Sequence, residues 1–195
     1  MKYLTEIDQK KLFRTPGETK GKKAERDLMI LFFLFYLGLR CSELVGLNLA
    51  DVKNRDRLYI RPEITKRAKP RILPLNKKLQ SAIKNFLKLK LTWGESLQDE
   101  SPLFISKKNN RLSKRSLQDL FEYWCKRADL TRNDKGKEKS LYSVHSARHS
   151  FAKRLLQRGY TLQHVQKLLG HSSLASTGIY CEVDYEELEE AVNAL

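Results

Sequence analysis

Apolar residues form their longest run between Leu28 and Leu39, where Gly38 is the one position of 12 without an apolar side chain. A run of this length is too short to cross a bilayer, which needs about 20 residues. It predicts a helix buried in the core of a globular domain. We expect Gly38 to break this helix, so that Arg40 lies at its polar end. A short helix is expected to follow at 42–46.

Amphipathic patterns predict helices along most of the remaining chain. Thr5 followed by Asp8 is typical of a helix start, and this first helix should end near Phe13. Residues 15–23, rich in Gly, Pro and Lys, are expected to form a loop. Apolar spacing predicts further helices at 77–91, from Ser113 onward, and as a pair within 143–170 that Gly159 and Gly170 end.

Two segments are typical of extended chain. Residues 58–64 and 71–75 flank a basic connection that contains Lys66, which predicts a two-stranded hairpin. From the residues alone, a solvated lysine-rich turn is the simplest interpretation of that connection. Residues 132–139 lack apolar side chains and are expected to form a mobile loop. The whole pattern predicts a mainly α fold with a small antiparallel β-sheet, in the α+β class.

The charge of the chain indicates a polyanionic partner. The sequence has 38 Lys and Arg against 23 Asp and Glu, a formal net charge of +15, and its pI is near 9.8. A basic excess of this size is the electrostatic footprint of a nucleic-acid-binding domain. RNA-binding and ribosomal proteins are equally basic, so charge alone does not choose DNA over RNA.

Length, cysteine content and the N-terminus narrow the class of protein. The 195 residues, 41% of them hydrophobic, suffice for one domain with its own core. The three cysteines lack a Cys-x-x-Cys spacing, which argues against a disulfide framework and a structural zinc site. The N-terminus has no apolar stretch of the signal-peptide type. We therefore expect a cytoplasmic, nucleoid-associated protein that does not interact with a membrane.

Five scattered side chains form a set that could hold and attack a phosphodiester. An arginine fork grips two phosphate oxygens, so two arginines can neutralise a pentacoordinate transition state. A tyrosine can be the nucleophile when positive neighbours or a base assist it. The product would be a phosphotyrosine that keeps the energy of the broken bond, so no ATP, metal or cofactor is expected. The set comprises Arg40, His145, Arg148, His171 and Tyr180.

Each member of this set also has a purely structural interpretation. Arg40 alone is best explained as a helix-end charge that pairs with Glu43, and Tyr180 alone as a half-buried aromatic residue. His145 and Arg148 give a stronger signal, because residues three apart on a helix share a face and can converge on one ligand. The functional interpretation depends on the order and spacing of the whole set.

Four segments, at 38–44, 65–75, 145–149 and 169–180, together span most of the sequence. In order and spacing they resemble the catalytic domain of the tyrosine recombinases, the phage integrase family that includes the Xer chromosome-resolution enzymes. The resemblance implies the tyrosine recombinase catalytic-domain fold. It also implies a site-specific DNA recombinase or integrase that cleaves and rejoins DNA strands through a 3′-phosphotyrosine intermediate.

The resemblance further implies a role for each residue that bears on the phosphate. Arg40 and Arg148 would clamp the scissile phosphate while Tyr180 attacks it and releases a 5′ hydroxyl. Lys66 would be the general acid that protonates this leaving oxygen. The family often has Gly before this lysine, and here the position is Thr65.

Three supporting roles follow from the same resemblance. His145 would assist proton transfer at the nucleophile. His171 would donate a hydrogen bond to the phosphate and help to place the tyrosine. Glu43 would orient Arg40 and the surrounding histidines.

The resemblance implies double-stranded DNA as the partner and self-association into a tetramer on it. The tail at 184–195, which is acidic and has an apolar stripe, would form a helix that docks on a neighbouring protomer. Most members of the family have an additional N-terminal helical domain that closes a clamp around DNA. This sequence begins almost directly at the catalytic domain. We therefore expect 1–195 to be a single catalytic domain, either a fragment or a naturally short recombinase.

Two other functions fit part of the pattern. The helix pair within 143–170 resembles a helix-turn-helix, so a DNA-binding regulator without chemistry is one alternative. Such a regulator has no need of Arg40 with Glu43, or of a tyrosine at a fixed distance after Gly170. Type IB topoisomerases, which relax supercoils with a similar set of residues, are the other alternative. The compact spacing from Gly170 to Tyr180 favours a recombinase.

Overall fold

The computed structural model describes residues 2–65 and 69–170, and within them the chain forms seven α-helices and two antiparallel hairpins. The predicted fold class, mainly α with a small antiparallel β component, is confirmed. The helices are α1 (Glu6–Glu18), α2 (Lys22–Leu37), α3 (Cys41–Gly46), α4 (Lys77–Thr92), α5 (Lys114–Arg127), α6 (Val144–Gln157) and α7 (Leu162–Leu169). The strands are β1 (Arg57–Ile60), β2 (Arg71–Pro74), β3 (Thr131–Asp134) and β4 (Lys137–Ser140).

Helix α2 lies at the centre of the domain because apolar side chains cover most of its surface. It packs against α1, α4 and α6. The helix ends at Gly38, whose φ of 58° lies in the left-handed region. A Cβ there would lie 2.5 Å from Cδ1 of Phe151 and 2.9 Å from Cδ2 of Leu169. Both the backbone conformation and the close packing of α6 and α7 therefore require glycine, as the sequence predicted for the end of this helix.

Helix α1 begins as predicted and ends later than predicted. Thr5 and Asp8 form a reciprocal capping box, in which each side chain accepts a hydrogen bond from the other residue's backbone N–H. The helix then continues through Pro16 to Glu18, and α2 already begins at Lys22. The predicted loop at 15–23 is therefore wrong over most of its length. Pro16 lies near the end of the helix, where it removes a single helical hydrogen bond, and its ring is buried in the core.

The predicted hairpin at 58–75 is confirmed as the antiparallel pair of β1 and β2, with Ile60 opposite Arg71. Strand β1 is shorter than predicted because residues 62–64 form a 3-10 turn. Leu58 and Leu73 are buried on the face of the hairpin that packs on the domain. Because side chains alternate along a strand, Arg71 lies on the same face as Leu73.

The segment expected to be a mobile loop at 132–139 is instead a second hairpin, formed by β3 and β4, so that prediction is wrong. Lys135 and Gly136 have φ values of 52° and 75°. Two consecutive residues in the left-handed region make the tight turn whose twist suits a two-residue hairpin loop.

Helices α6 and α7 confirm the predicted pair. Thr161 caps α7 by accepting a hydrogen bond from the backbone N–H of His164, and Gly170 ends it with a φ of 65°. Helix α7 packs on α6 and on β2. The end of α7, the start of α3 and strand β2 therefore meet at one place. Among the described residues, no helix has the length and apolar character needed to span a membrane.

Candidate active site

Four of the seven candidate residues lie in the described part of the chain, and three of them come together. Arg40, Glu43 and Arg148 meet where α3 begins, whereas His145 lies exposed on the first turn of α6. The remaining candidates, Lys66, His171 and Tyr180, lie outside the described residues.

Arg40 and Glu43 form a helix cap and an ion pair at once. Arg40 is the N-cap residue of α3, and its backbone N–H donates to Oε2 of Glu43 at 2.7 Å. Its guanidinium Nη1 donates to Oε1 of the same carboxylate at 3.0 Å. The side chain of Arg40 keeps 27% of its surface exposed. This guanidinium is therefore held on one side and open to a ligand on the other.

Arg148 lies deeper, on α6, with 5% of its surface exposed. Its Nη1 donates to the carbonyl of Gly38 at 2.5 Å, and its Nη2 to the carbonyl of Leu169 at 2.6 Å. Nη1 of Arg40 also donates to the carbonyl of Leu169, at 3.3 Å. The two guanidinium groups share this acceptor and are therefore neighbours, although 108 positions separate them in the sequence.

A third guanidinium, that of Arg71 on β2, was missed by the sequence reasoning, which treated 71–75 only as a strand. Its Nη1 and Nη2 donate to Oε1 and Oε2 of Glu43 at 2.5 Å and 2.8 Å, a bidentate pair. Its Nε donates to the carbonyl of Leu168 at 3.0 Å. The alternation of side chains along β2 was the signal that could have revealed Arg71. It places this arginine on the buried face with Leu73, where a charged residue needs a partner of opposite charge.

The three arginines also cap the end of α7. The carbonyl of Leu168 accepts a hydrogen bond from Arg71, and the carbonyl of Leu169 accepts one from each of Arg40 and Arg148. The carbonyl of Gly170 accepts a hydrogen bond from Arg40. The last carbonyls of a helix have no partner within it and carry partial negative charge, so guanidinium groups suit this position. The residue after Gly170 in the sequence is the candidate His171.

The electrostatics of this cluster centre on Glu43, whose side chain is 0% exposed. Burial raises the pKa of its carboxyl group. This effect is outweighed by the hydrogen bonds and charge of Arg71, the backbone N–H of Arg40 and the charge of Arg148. The pKa of Glu43 therefore lies below its usual value. The carboxylate is thus ionised at neutral pH. Within residues 2–65 and 69–170, three guanidinium groups face this one carboxylate.

The two histidines of α6 differ in their surroundings. His145 is exposed one turn before Arg148. His149 is half-buried, and burial together with the nearby His145 and Arg148 lowers its pKa, so its imidazole is neutral at pH 7. No group of three or more His, Cys, Asp or Glu side chains within residues 2–65 and 69–170 is arranged to hold a metal ion.

Comparison with known proteins places the chain in a family. Residues 2–187 match the model of the phage integrase family. The chain belongs to the phage integrase family. The resemblance to tyrosine recombinases, stated above from the sequence, is thereby confirmed.

Several named recombinases are similar to this chain over nearly its whole length. Tyrosine recombinase XerC of Caldanaerobacter subterraneus subsp. tengcongensis is 38% identical over 192 residues, which cover 98% of this chain and 50% of that relative. A crystal structure of XerA recombinase has a TM-score of 0.78 at 25% identity and covers 100% of this chain and 65% of that one. The pre-cleavage complex of XerH with its difH substrate has a TM-score of 0.76 at 25% identity, over 98% of this chain and 54% of that one. The chain thus spans about half the length of the XerC relative.

Proposed function

We propose that this chain is the catalytic part of a site-specific DNA recombinase that cleaves and rejoins DNA strands through a 3′-phosphotyrosine intermediate. The observation that carries the proposal is the convergence of Arg40 and Arg148 on one backbone oxygen, beside the buried carboxylate of Glu43. Two forks that share one oxygen acceptor can equally share the oxygens of a phosphodiester. Similarity to proteins named tyrosine recombinases supports the same conclusion.

In the proposed reaction the arginines lower the energy of the pentacoordinate phosphorus. Arg40 and Arg148 neutralise the charge that develops on the non-bridging oxygens. The phenol oxygen of Tyr180 bonds to phosphorus as the bond to the 5′ oxygen breaks, and Lys66 gives its proton to that oxygen. Attack by a 5′ hydroxyl of another strand reverses these steps. The phosphotyrosine conserves the bond energy, so the cycle needs no ATP.

Two further roles belong to the same proposal. His145 assists removal of the phenol proton, and His171 donates a hydrogen bond to the phosphate. The exposed position of His145 on the first turn of α6 leaves it accessible to a group outside the described residues.

Duplex DNA is the proposed substrate, because the net charge of +15 matches a polyanion and the XerH neighbour was solved with a DNA substrate. Action on DNA places the protein at the nucleoid. Tetramer formation on DNA through the tail at 184–195 is the remaining part of the proposal. Deletion of this tail should weaken assembly on DNA, measured by sedimentation, and leave the thermal unfolding of the monomer unchanged. Loss of folding in the deletion variant would count against a tail that docks on a neighbour.

The chemistry is tested by trapping the covalent intermediate. The full chain is incubated with a pool of nicked duplexes whose sequence around the nick is randomised, and the products are separated on a denaturing gel. Cleavage beside the nick releases a short fragment that diffuses away, so the DNA stays attached to the protein. We expect an adduct with wild type and with the control Tyr160→Phe, whose side chain is exposed between the end of α6 and the start of α7, and none with Tyr180→Phe. Absence of an adduct with wild type would favour a non-catalytic DNA-binding protein.

A further inference from the structure

We propose that Arg71 is a positioning residue for this reaction, which fixes Glu43 and, through Glu43, sets the guanidinium of Arg40 against the scissile phosphate. The inference rests on the proposed function and extends it to a residue that neither the motif spacing nor the family resemblance singled out.

The hydrogen-bond geometry identifies Arg71 as the residue that orients the carboxylate. A bidentate pair fixes both oxygens of Glu43 and therefore the plane of the carboxylate. The guanidinium of Arg40 is joined to this carboxylate by a single hydrogen bond, to Oε1 at 3.0 Å. A rotation of the carboxylate would move the nearest acceptor of the Arg40 guanidinium, whose other acceptors are the carbonyls of Leu169 and Gly170 at 3.3 Å. Arg71 bears on these acceptors too, because it holds Glu43 and also binds the carbonyl of Leu168 at the same helix end.

Burial separates the two arginines into different tasks. The side chain of Arg71 is 9% exposed, compared with 27% for Arg40. All three nitrogens of the Arg71 guanidinium already donate to protein acceptors, two to Glu43 and one to the carbonyl of Leu168. A phosphate reaches Arg40 more readily than it reaches Arg71. Arg71 therefore acts on the substrate through Glu43 and not by contact.

Arg71 also joins three segments that each carry or lead to a proposed reacting group. It belongs to β2, which continues the connection that contains Lys66. It binds α3 through Glu43, and it binds the end of α7 through Leu168, three residues before His171. The packing at this junction is tight, because a Cβ at Gly170 would lie 3.0 Å from Cδ of Arg71. One guanidinium thus sets the spacing between segments that must act together on one phosphate.

Arg71→Lys distinguishes a positioning role from simple charge neutralisation. Lysine keeps the positive charge beside Glu43 and loses the fork, so it cannot bind both carboxylate oxygens and the Leu168 carbonyl together. Arg57→Lys is the matched control, because Arg57 lies on the other strand of the same hairpin with its side chain 69% exposed. Thermal unfolding, DNA affinity and the single-turnover rate of adduct formation are measured for both variants, on a nicked duplex recovered from the pool.

We expect Arg71→Lys to remain folded and to bind DNA like wild type, while adduct formation at saturating protein falls about 10- to 100-fold because the fork of Arg40 is misplaced. Arg57→Lys should react like wild type. In an Arg40→Lys background the guanidinium that Arg71 positions is already absent, so Arg71→Lys should lower the rate of adduct formation little further. If the two substitutions acted independently, their fold-losses in rate would multiply.

Three outcomes overturn the proposal while leaving the proposed function intact. One is a wild-type rate in Arg71→Lys, another is a loss accounted for by weaker DNA binding or by unfolding, and the third is a multiplicative loss in the Arg40→Lys background. Absence of an adduct with wild type has a different meaning, because it removes the proposed function itself. Arg71→Gln provides a second variant, and it should lower the adduct rate at least as far as Arg71→Lys.

Discussion

Glu43→Gln removes the one negative charge at the centre of three guanidinium groups and keeps the shape of the side chain. The carboxylate accepts four hydrogen bonds, two from Arg40 and two from Arg71. An amide can accept through one oxygen only, and its NH2 group would face N–H donors. The variant should therefore lose bonds on one side of the group and leave the buried arginines with uncompensated charge.

The loss is expected to be large because the partners are buried. Removal of one member of a buried ion pair costs about 3–5 kcal/mol. The side chains of Arg71 and Arg148 are 9% and 6% exposed, so water can do little to compensate them, whereas Arg40 is partly solvated. In a domain of this size, 1 kcal/mol corresponds to about 2–4 °C in Tm. The melting temperature of Glu43→Gln should therefore fall by roughly 6–20 °C.

The pH dependence supplies a second check on the same substitution. The pKa of Glu43 is lower in the folded state than in the unfolded chain. Its stabilising contribution is therefore complete above the unfolded pKa, about 4.3, and is lost as the pH falls through the folded value. The gap in unfolding free energy between wild type and Glu43→Gln should be full at neutral pH and should shrink in acid below about pH 4.

Urea unfolding followed by circular dichroism, over a series of pH values, measures both quantities. The control Glu138→Gln changes an exposed glutamate on β4 and should stay within about 0.5 kcal/mol of wild type. An unfolding free energy of Glu43→Gln within about 1 kcal/mol of wild type at neutral pH would contradict a stabilising role for this carboxylate. A gap of the same size in acid would contradict the lowered pKa of Glu43.

Three further substitutions test the junction and the chemistry. Gly38→Ala should cost about 1–3 kcal/mol from overpacking against Phe151, in addition to backbone strain; Gly159→Ala, with a φ of 83° and open space around its Cβ, measures the strain alone by the same urea titration. Arg40→Lys keeps the charge and loses the fork, so the rate of adduct formation should fall about 100-fold or more with little change in Tm; an unchanged rate would remove Arg40 from the site. Lys66→Ala should slow cleavage of a normal duplex and regain most of that rate when sulfur replaces the leaving 5′ oxygen, because a thiol with a pKa near 8.5 leaves without a proton donor; equal losses on both duplexes would exclude a general-acid role.

The sequence could predict those parts of the fold in which burial of one face requires apolar residues at regular spacing. Helices α2, α6 and α7 have apolar residues at helical spacing, and each is followed by a glycine with positive φ. The apolar pattern and the glycine therefore predict the same helix end. The hairpin of β3 and β4 could not be found in this way, because its strands are polar on both faces and bury little. Its remaining signal was Gly136 in the turn, a residue that also suits a loop.

The candidate site was predictable where residues share a motif and unpredictable where they meet through strand register. Arg148 stood out because His145 precedes it by one helical turn, whereas Arg40 stood out only through the order and spacing of the whole set. Arg71 gave no such local signal. Its burial follows from the pairing of β1 with β2, which places it opposite Ile60, and its partner Glu43 lies 28 positions away.

The arrangement of charges around Glu43 argues for a ligand independently of any motif. A fold that needed only to neutralise a buried carboxylate would be served by Arg71 alone, since its fork satisfies both oxygens. Arg40 and Arg148 add two positive charges that repel each other and Arg71, and the carbonyl of Leu169 at the end of α7 accepts a hydrogen bond from both. Such a surplus lowers the stability of a protein on its own and becomes favourable when an anion binds between the guanidinium groups. Binding of the proposed phosphate would therefore give Arg40 and Arg148 a role beyond their contacts within the fold.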